Sequence, residues 1–235
     1  MTGVAQQIAD NLRAVRQRIA EAAARSGRSV EQVRLVAVTK TVGLEEIRAL
    51  VGAGCQELGE SRPQQLWEKA AALEDLRIHW HMVGPLQRNK VRRTLEVAEM
   101  IQSADSLRLI RAIDRIAGEL GRLLPILIEV NVSREPAKHG FHPDLLEPSL
   151  LEVASCRHVE VRGLMCMASL EGGLDAARRD FAALRNLRDR LRNRCPEGIA
   201  LEELSMGMSG DYEVAIEEGA TIVRIGSALF EGISR

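Results

Sequence analysis

The sequence predicts an α/β fold: a (β/α)8 TIM barrel with one extra helix at its N-terminal end. Three observations carry this reading. Apolar runs alternate with amphipathic stretches eight times along 235 residues. The runs are nearly continuous, as in Ile126-Leu127-Ile128 and Thr221-Ile222-Val223, which suits strands buried on both faces of a parallel sheet. The length suits one such barrel, a single domain spanning residues 1–235. A doubly wound open sheet is the alternative, but its first turn would more naturally carry G-x-G-x-x-G, which this chain lacks.

Val4, Ile8, Leu12, Val15 and Ile19 recur at helical spacing, so Met1 to Arg25 reads as an amphipathic helix. It is not a signal peptide, which would need a continuous apolar segment. Ser26-Gly27-Arg28-Ser29 breaks it. Leu35 to Lys40 is the first strand, and Leu44, Ile47, Leu50 and Val51 lie on a helix that stops at Gly52-Ala53-Gly54. Gln56 to Gly59 is the second strand, with Pro63 as first-turn proline of a helix to Leu73. His79 to Val83 is the third, and Gly84-Pro85 turns the chain into a helix through Val97. Met100 to Ser103 is a weak fourth strand before a helix from Ser106 to Glu119. Pro125 to Val132 is the fifth, with a helix inside Pro143 to Ala154. Val159 to Met167 is the sixth, followed by a long charged helix from Leu174 to Arg194. Leu201 to Met206 precedes a helix from Asp211 to Glu218. Thr221 to Ile225 is the last strand, and Ala228-Leu229-Phe230 begins a final turn.

Composition removes several function classes. A hydrophobic fraction of 46% and a charged fraction of 28% describe an ordinary soluble globule with a sizeable core. A net charge of −1 gives no footprint for nucleic acid or an anionic membrane. The arginines sit among acids, as in Arg178-Arg179-Asp180, and read as solvated faces. Cys55, Cys156, Cys166 and Cys195 have neither C-x-x-C spacing nor nearby histidine partners, so neither a metal cluster nor a disulfide framework is expected. No apolar run reaches the ~18 residues of a membrane span. A monomer in a reducing cytoplasm is the expectation.

Chemistry in such a barrel sits at the C-terminal ends of the strands. The first strand ends on Lys40, one of four lysines in a chain with twenty-eight arginines. Where arginine is the default cation, a lysine suggests an amine that can lose its proton and act as a nucleophile. The plain alternative is a strand exit into solvent. Strand two ends in Gly59-Glu60-Ser61-Arg62, strand three in His81-Met82, and strand five carries Glu129 and Asn131. The loops after strands seven and eight, Ser205 to Gly210 and Gly226-Ser227, are small residues with hydroxyls, the usual place for a phosphate in this fold. Read plainly, Ser209 caps a helix and Gly226 is a turn. Arg224 lies in an apolar strand on the face of Ile222 and Gly226, where a guanidinium needs either a salt bridge, for instance to Glu129, or a ligand acceptor. An amine, a phosphate cradle and an inward arginine together suggest pyridoxal 5′-phosphate (PLP), with a Schiff base on Lys40 and Arg224 at the ring nitrogen.

The chain also resembles the pyridoxal phosphate homeostasis proteins, which look like the barrel domain of alanine racemase standing alone. The segments that carry the resemblance are Ala37-Val38-Thr39-Lys40, Gly59-Glu60, His79 to Gln87, Asn89-Lys90, Arg162 to Met165, Leu204 to Ser209 and Val223 to Gly226. The resemblance implies Lys40 as the Schiff-base lysine, Ser209, Gly226 and Ser227 at the phosphate, and Arg224 at the pyridine nitrogen. Ser61, Met82 and Ser205 complete the expected cofactor site. Many relatives have Gly-Glu-Asn-Tyr where this chain has Gly59-Glu60-Ser61-Arg62, so the asparagine's contact is open to a shorter serine. His81 reads as a satisfied core histidine, and Met165 and Met167 as barrel packing.

An arginine at the ring nitrogen disfavours a pyridinium and weakens the ring as an electron sink. Alanine racemase also uses an arginine there, but brings a second acid/base tyrosine from another domain. The one tyrosine here, Tyr212, has no evident role as that base. The expectation is therefore a regulator that holds PLP in vitamin B6 and amino-acid homeostasis without robust catalysis, with PLP-dependent apo-enzymes as recipients. The rival is a racemase-like PLP enzyme using His81, Glu60 or Tyr212. A third reading, an apo scaffold for a protein partner, would need an exposed apolar patch away from the barrel mouth.

Overall fold

In a computed structural model of the chain, residues 3–169 and 171–233 are described. Met1 and Thr2, where the expected opening helix begins, and the last two residues of the chain lie outside them. Eight parallel strands close into a barrel in chain order, each hydrogen-bonded to the next and the eighth to the first. They are β1 (Arg34–Val38), β2 (Glu57–Glu60), β3 (His79–Met82), β4 (Met100–Ala104), β5 (Leu124–Glu129), β6 (Val159–Met165), β7 (Glu203–Ser205) and β8 (Ile222–Ile225). The helices are α1 (Gly3–Arg25), α2 (Leu44–Gly52), α3 (Pro63–Ala72), α4 (Val91–Leu95), α5 (Leu107–Glu119), α6 (Leu146–Val153), α7 (Gly173–Arg192) and α8 (Tyr212–Glu217). The predicted barrel and its additional helix are both present.

The extra helix closes the outer ring. Among the described residues, β8 is followed by a 3-10 turn, Ser227–Phe230. α1 packs between α8 and α2 and against that turn. It buries Ile8, Leu12, Val15 and Ile19. Its Asn11 amide donates to the carbonyls of Leu229 (3.2 Å) and Glu231 (2.9 Å).

Strand alternation sorts the side chains into two cores. Ala37, Leu58, Trp80, Met82, Ile101 and Ile128 face the helices, in the larger core. Val36, Val83, Met100, Leu127, Met165 and Ile222 fill the barrel interior, with Val38 and Met167 against them. The two methionines pack as read from the sequence. Several strands end earlier than their apolar runs: β5 stops at Glu129, and Val130, its N–H still bonded to the Met165 carbonyl (2.8 Å), makes an isolated bridge with Phe141. The fourth helix is short, Val91–Leu95, after a 3-10 turn at Arg88–Lys90. Among the described residues no helix is long and apolar enough to cross a membrane.

Candidate functional site

Lys40 stands two residues past β1 and is exposed. Alternation puts it in series with Val36 and Val38, whose side chains belong to the barrel interior. Its amine has no hydrogen-bond or ion-pair partner among the described residues. Lys69 and Lys138, by contrast, are engaged, by Glu60 and by Glu135 respectively.

The strand end beneath Lys40 is pinned from outside the barrel. Thr39 Oγ1 donates to Glu60 Oε1 (2.7 Å), and Lys69 Nζ, from α3, donates to that oxygen (2.6 Å) and to the Thr39 carbonyl (2.7 Å). Thr39 and Glu60 are fully buried, and the second carboxylate oxygen of Glu60 has no hydrogen-bond partner among the described residues. The Gly59-Glu60 motif is therefore a fastening: Glu60 faces the helices and ties β2 and α3 to the residue before Lys40.

β8 runs beside β1, with Val36 opposite Arg224 and Ala37 opposite Ile225. At the end of this edge, Gly226 comes so close that a Cβ there would sit 3.1 Å from the Val38 carbonyl oxygen. The β7 loop folds over it, turning at Gly207 with φ of +92°, a conformation that favours glycine. Ser209 Oγ then accepts from the amides of Gly226 (3.1 Å) and Ala228 (3.4 Å). Two backbone N–H groups converging on one oxygen, with Ser227 exposed beside them, form a donor set suited to a phosphate oxygen.

Arg224 is 4% exposed and points into the barrel. The salt bridge to Glu129 weighed from the sequence is not formed. Its Nη1 donates to Ser205 Oγ (2.6 Å) and its Nη2 to the Cys166 carbonyl (2.8 Å). Burial pulls the guanidinium below its ordinary pKa, and nearby acidic groups, Glu129 among them, oppose this. Since the guanidinium has five N–H donors, others remain to meet an acceptor such as a pyridine nitrogen.

Glu129 is also in this layer, 3% exposed. Burial, reinforced by the charge of Asp105 and opposed by Arg224 and His139, pushes its carboxyl up to about 7. Sequence reading named Glu129 but did not foresee this.

The remaining expected site residues fall in two groups. Ser61 is half-buried at the end of β2, in series with the inward Gly59. Ser205 is fully buried below Arg224, its hydroxyl already engaged. Met82 is turned the other way: on β3 it alternates with His81 and is buried between barrel and helices. His81 lies in the barrel, 3% exposed, bonded to Glu57 and Gln102, and so is satisfied. Gln102, which the sequence reading missed, is a fully buried polar residue on the inward face of β4. Its signal was a lone amide in an otherwise apolar or small strand. Tyr212 leaves the mouth altogether: it is 4% exposed, and its hydroxyl, bonded to Arg18 of α1, is raised above the ordinary phenol value chiefly by burial.

The profile of the family described as "Alanine racemase, N-terminal domain" matches residues 7–233. A pyridoxal phosphate homeostasis protein of Aquifex aeolicus is 40% identical over 221 residues, 94% of this chain and 96% of its own. The structure of PipY from Synechococcus elongatus with PLP bound is 36% identical at a TM-score of 0.85, covering 95% of this chain and 99% of that one. Alanine racemase of Clostridium difficile, 16% identical at a TM-score of 0.73, shares the fold over 94% of this chain and 56% of its own.

Proposed function

The chain belongs to the pyridoxal phosphate homeostasis proteins, on the fold of the alanine racemase N-terminal domain, and from that premise we propose that it binds PLP as a Schiff base on Lys40. In this reading it holds the cofactor, or hands it to apo-enzymes, in vitamin B6 and amino-acid homeostasis. One observation carries it: the β1–β8 edge gathers a partnerless lysine amine, a convergent amide pair and a buried guanidinium.

The residues fit the group. Lys40 supplies the amine. Ser209, Gly226 and Ser227 hold the phosphate, with the Ala228 amide added. Arg224 would donate to the ring nitrogen, and Ser61, at the end of β2, would stand on the strand next to that of Lys40. Met82 faces the helices and supports β3. PLP brings an aldehyde for a lysine and a ring that accepts electron density; a cation that only donates keeps the ring nitrogen an acceptor and that sink weak.

The three side chains that would make the barrel an enzyme are committed elsewhere. Glu60 is paired with Lys69, His81 with Glu57 and Gln102, and Tyr212 with Arg18. This favours a carrier. The test incubates PLP-loaded protein with alanine and, separately, with a PLP-dependent apo-enzyme. Negligible racemisation with reconstitution of the apo-enzyme is expected; robust turnover overturns the carrier reading. One observation favours the racemase-like alternative: Glu129, held near neutrality in the layer of Arg224, could move a proton. Turnover abolished by Glu129→Gln would establish it.

A further inference from the structure

The barrel is crossed by a continuous line of buried side chains that the proposed cofactor contacts do not explain. Arg224 on β8 donates to Ser205 Oγ on β7 (2.6 Å). Ser205 Oγ donates to Gln102 Oε1 on β4 (2.6 Å), spanning the interior. Gln102 Nε2 meets His81 Nδ1 on β3 (2.9 Å), and His81 Nε2 meets Glu57 Oε2 on β2 (2.7 Å). Gln102, Ser205, His81 and Arg224 are all at most 4% exposed. Glu57 opens into a cavity of about 210 Å³ at the opposite mouth, walled by Arg34, Glu99, Arg162 and Glu203.

One order of the line leaves no donor without an acceptor. A guanidinium cannot accept, so Ser205 accepts from Arg224, and its own proton finds an acceptor when given to Gln102 Oε1. That fixes the amide with its oxygen toward Ser205 and its N–H toward His81. His81 Nδ1 must then be the bare nitrogen, and its proton sits on Nε2, facing the Glu57 carboxylate. The line therefore runs from cation to anion with all donors pointing one way, an arrangement in which each bond polarises the next. A proton arriving at His81 Nδ1 from solvent breaks this order. Nδ1–H would face the Gln102 N–H, the amide would turn over, and Ser205 would accept from both neighbours while its own hydrogen lost its acceptor. Arg224 would then be held by a hydroxyl that can no longer pass its proton on.

We propose that Glu57, His81, Gln102 and Ser205 form a proton-ordered relay that positions Arg224, so that the hydrogen bond it offers the ring nitrogen of PLP responds to protonation of His81 at the far mouth. The proposal rests on the PLP reading above. The charges facing His81 are Glu57 on β2, Arg34 on β1 (paired with Glu203 of β7), His79 and Glu99 (paired with each other) on β3 and ahead of β4, and Arg162 on β6 (paired with Glu160). β5 presents the uncharged Pro125, and β8 reaches His81 only through the relay. The pairing of the surrounding charges leaves Glu57 as the group that answers directly to His81.

Two measurements test it. Nitrogen NMR of the full chain without cofactor, labelled at histidine, reads the relay itself: the His81 tautomer with its proton on Nε2 and Nδ1 bare is expected. The tautomer with its proton on Nδ1 overturns the ordering. The second uses PLP labelled at the ring nitrogen, bound to wild type, Gln102→Leu, His81→Phe and His81→Gln. In the first two variants the ring-nitrogen signal should move and PLP should bind about tenfold or more weakly, the loss expected when a hydrogen bond to a charged group is degraded. His81→Gln, whose amide can accept from Gln102 and donate to Glu57, should restore the signal. In wild type the signal should move wherever the histidine spectrum shows Nδ1 of His81 taking up a proton, and in His81→Gln that movement should vanish. Unchanged signals and affinities in His81→Phe and Gln102→Leu would reduce the line to packing and overturn the proposal. Wild type that binds no PLP would defeat the underlying reading and the coupling with it, whereas the tautomer result stands independently of cofactor.

Discussion

Arg224 donates to the Ser205 hydroxyl at 2.6 Å and forms no ion pair with Glu129, although both side chains are buried in the barrel's upper layer. Two consequences follow. The guanidinium is oriented by neutral acceptors, which leaves its charge available to a ligand. Glu129, without an ion-pair partner among the described residues, carries the cost of its own burial.

That cost gives a pH dependence. Folding raises the Glu129 carboxyl from 4.5 to about 7. Below the lower value both states are protonated and the group contributes nothing. As pH rises through the window, the unfolded chain releases the proton first, so the folded state loses stability, and the full penalty is present above the upper value. At about 1.4 kcal/mol per unit the penalty is about 3 kcal/mol. In the cofactor-free protein, Glu129→Gln should therefore gain about that much on wild type between roughly pH 5 and pH 8, in urea unfolding. A pH-independent difference would show that Glu129 is not held protonated.

The fastening under Lys40 makes a stability prediction. Lys69→Met leaves Glu60 buried with only Thr39 as partner and should cost about 3–5 kcal/mol in chemical denaturation. The double change Glu60→Gln with Lys69→Met removes the stranded charge and should recover a large part of the loss. A Lys69→Met protein as stable as wild type would show that the pair does not hold the strand end.

The phosphate cradle can be separated from the rest of the site by ligand choice. In Gly226→Ala the added Cβ presses on the Val38 carbonyl and shifts the Gly226 amide. PLP affinity should fall about tenfold or more, as for losing a charge-assisted hydrogen bond. Affinity for pyridoxal, which lacks the phosphate, should stay within about twofold on the same argument. Equal losses for both ligands in a binding titration would mean that the loop does not meet the phosphate.

The barrel was legible in the sequence because strands buried on both faces leave continuous apolar runs, and Lys40 and Arg224 because each is an anomaly of its local composition. Met82 and His81 show where that reading stopped. They are adjacent in one motif, yet alternation sends them to opposite faces, and only the closed barrel fixes which face is inner. The relay was out of reach for another reason: Gln102 and Ser205 lie 103 residues apart, and nothing local to either marks the partner. Strand ends were overrun because rim residues such as Val130 keep their apolar character where the regular strand stops, here with its N–H still bonded to Met165 and a loop residue, Phe141, bridging it.

The most direct test of the central claim is to load the protein with PLP, reduce it with borohydride, digest it and map the modified lysine by mass spectrometry, for wild type and Lys40→Ala. The expected result is a phosphopyridoxyl group on the peptide that contains Lys40, together with a visible absorbance band that disappears on reduction and is absent from the variant. Label on Lys69, Lys90 or Lys138 in place of Lys40, or no label on the wild-type protein, would contradict the assignment.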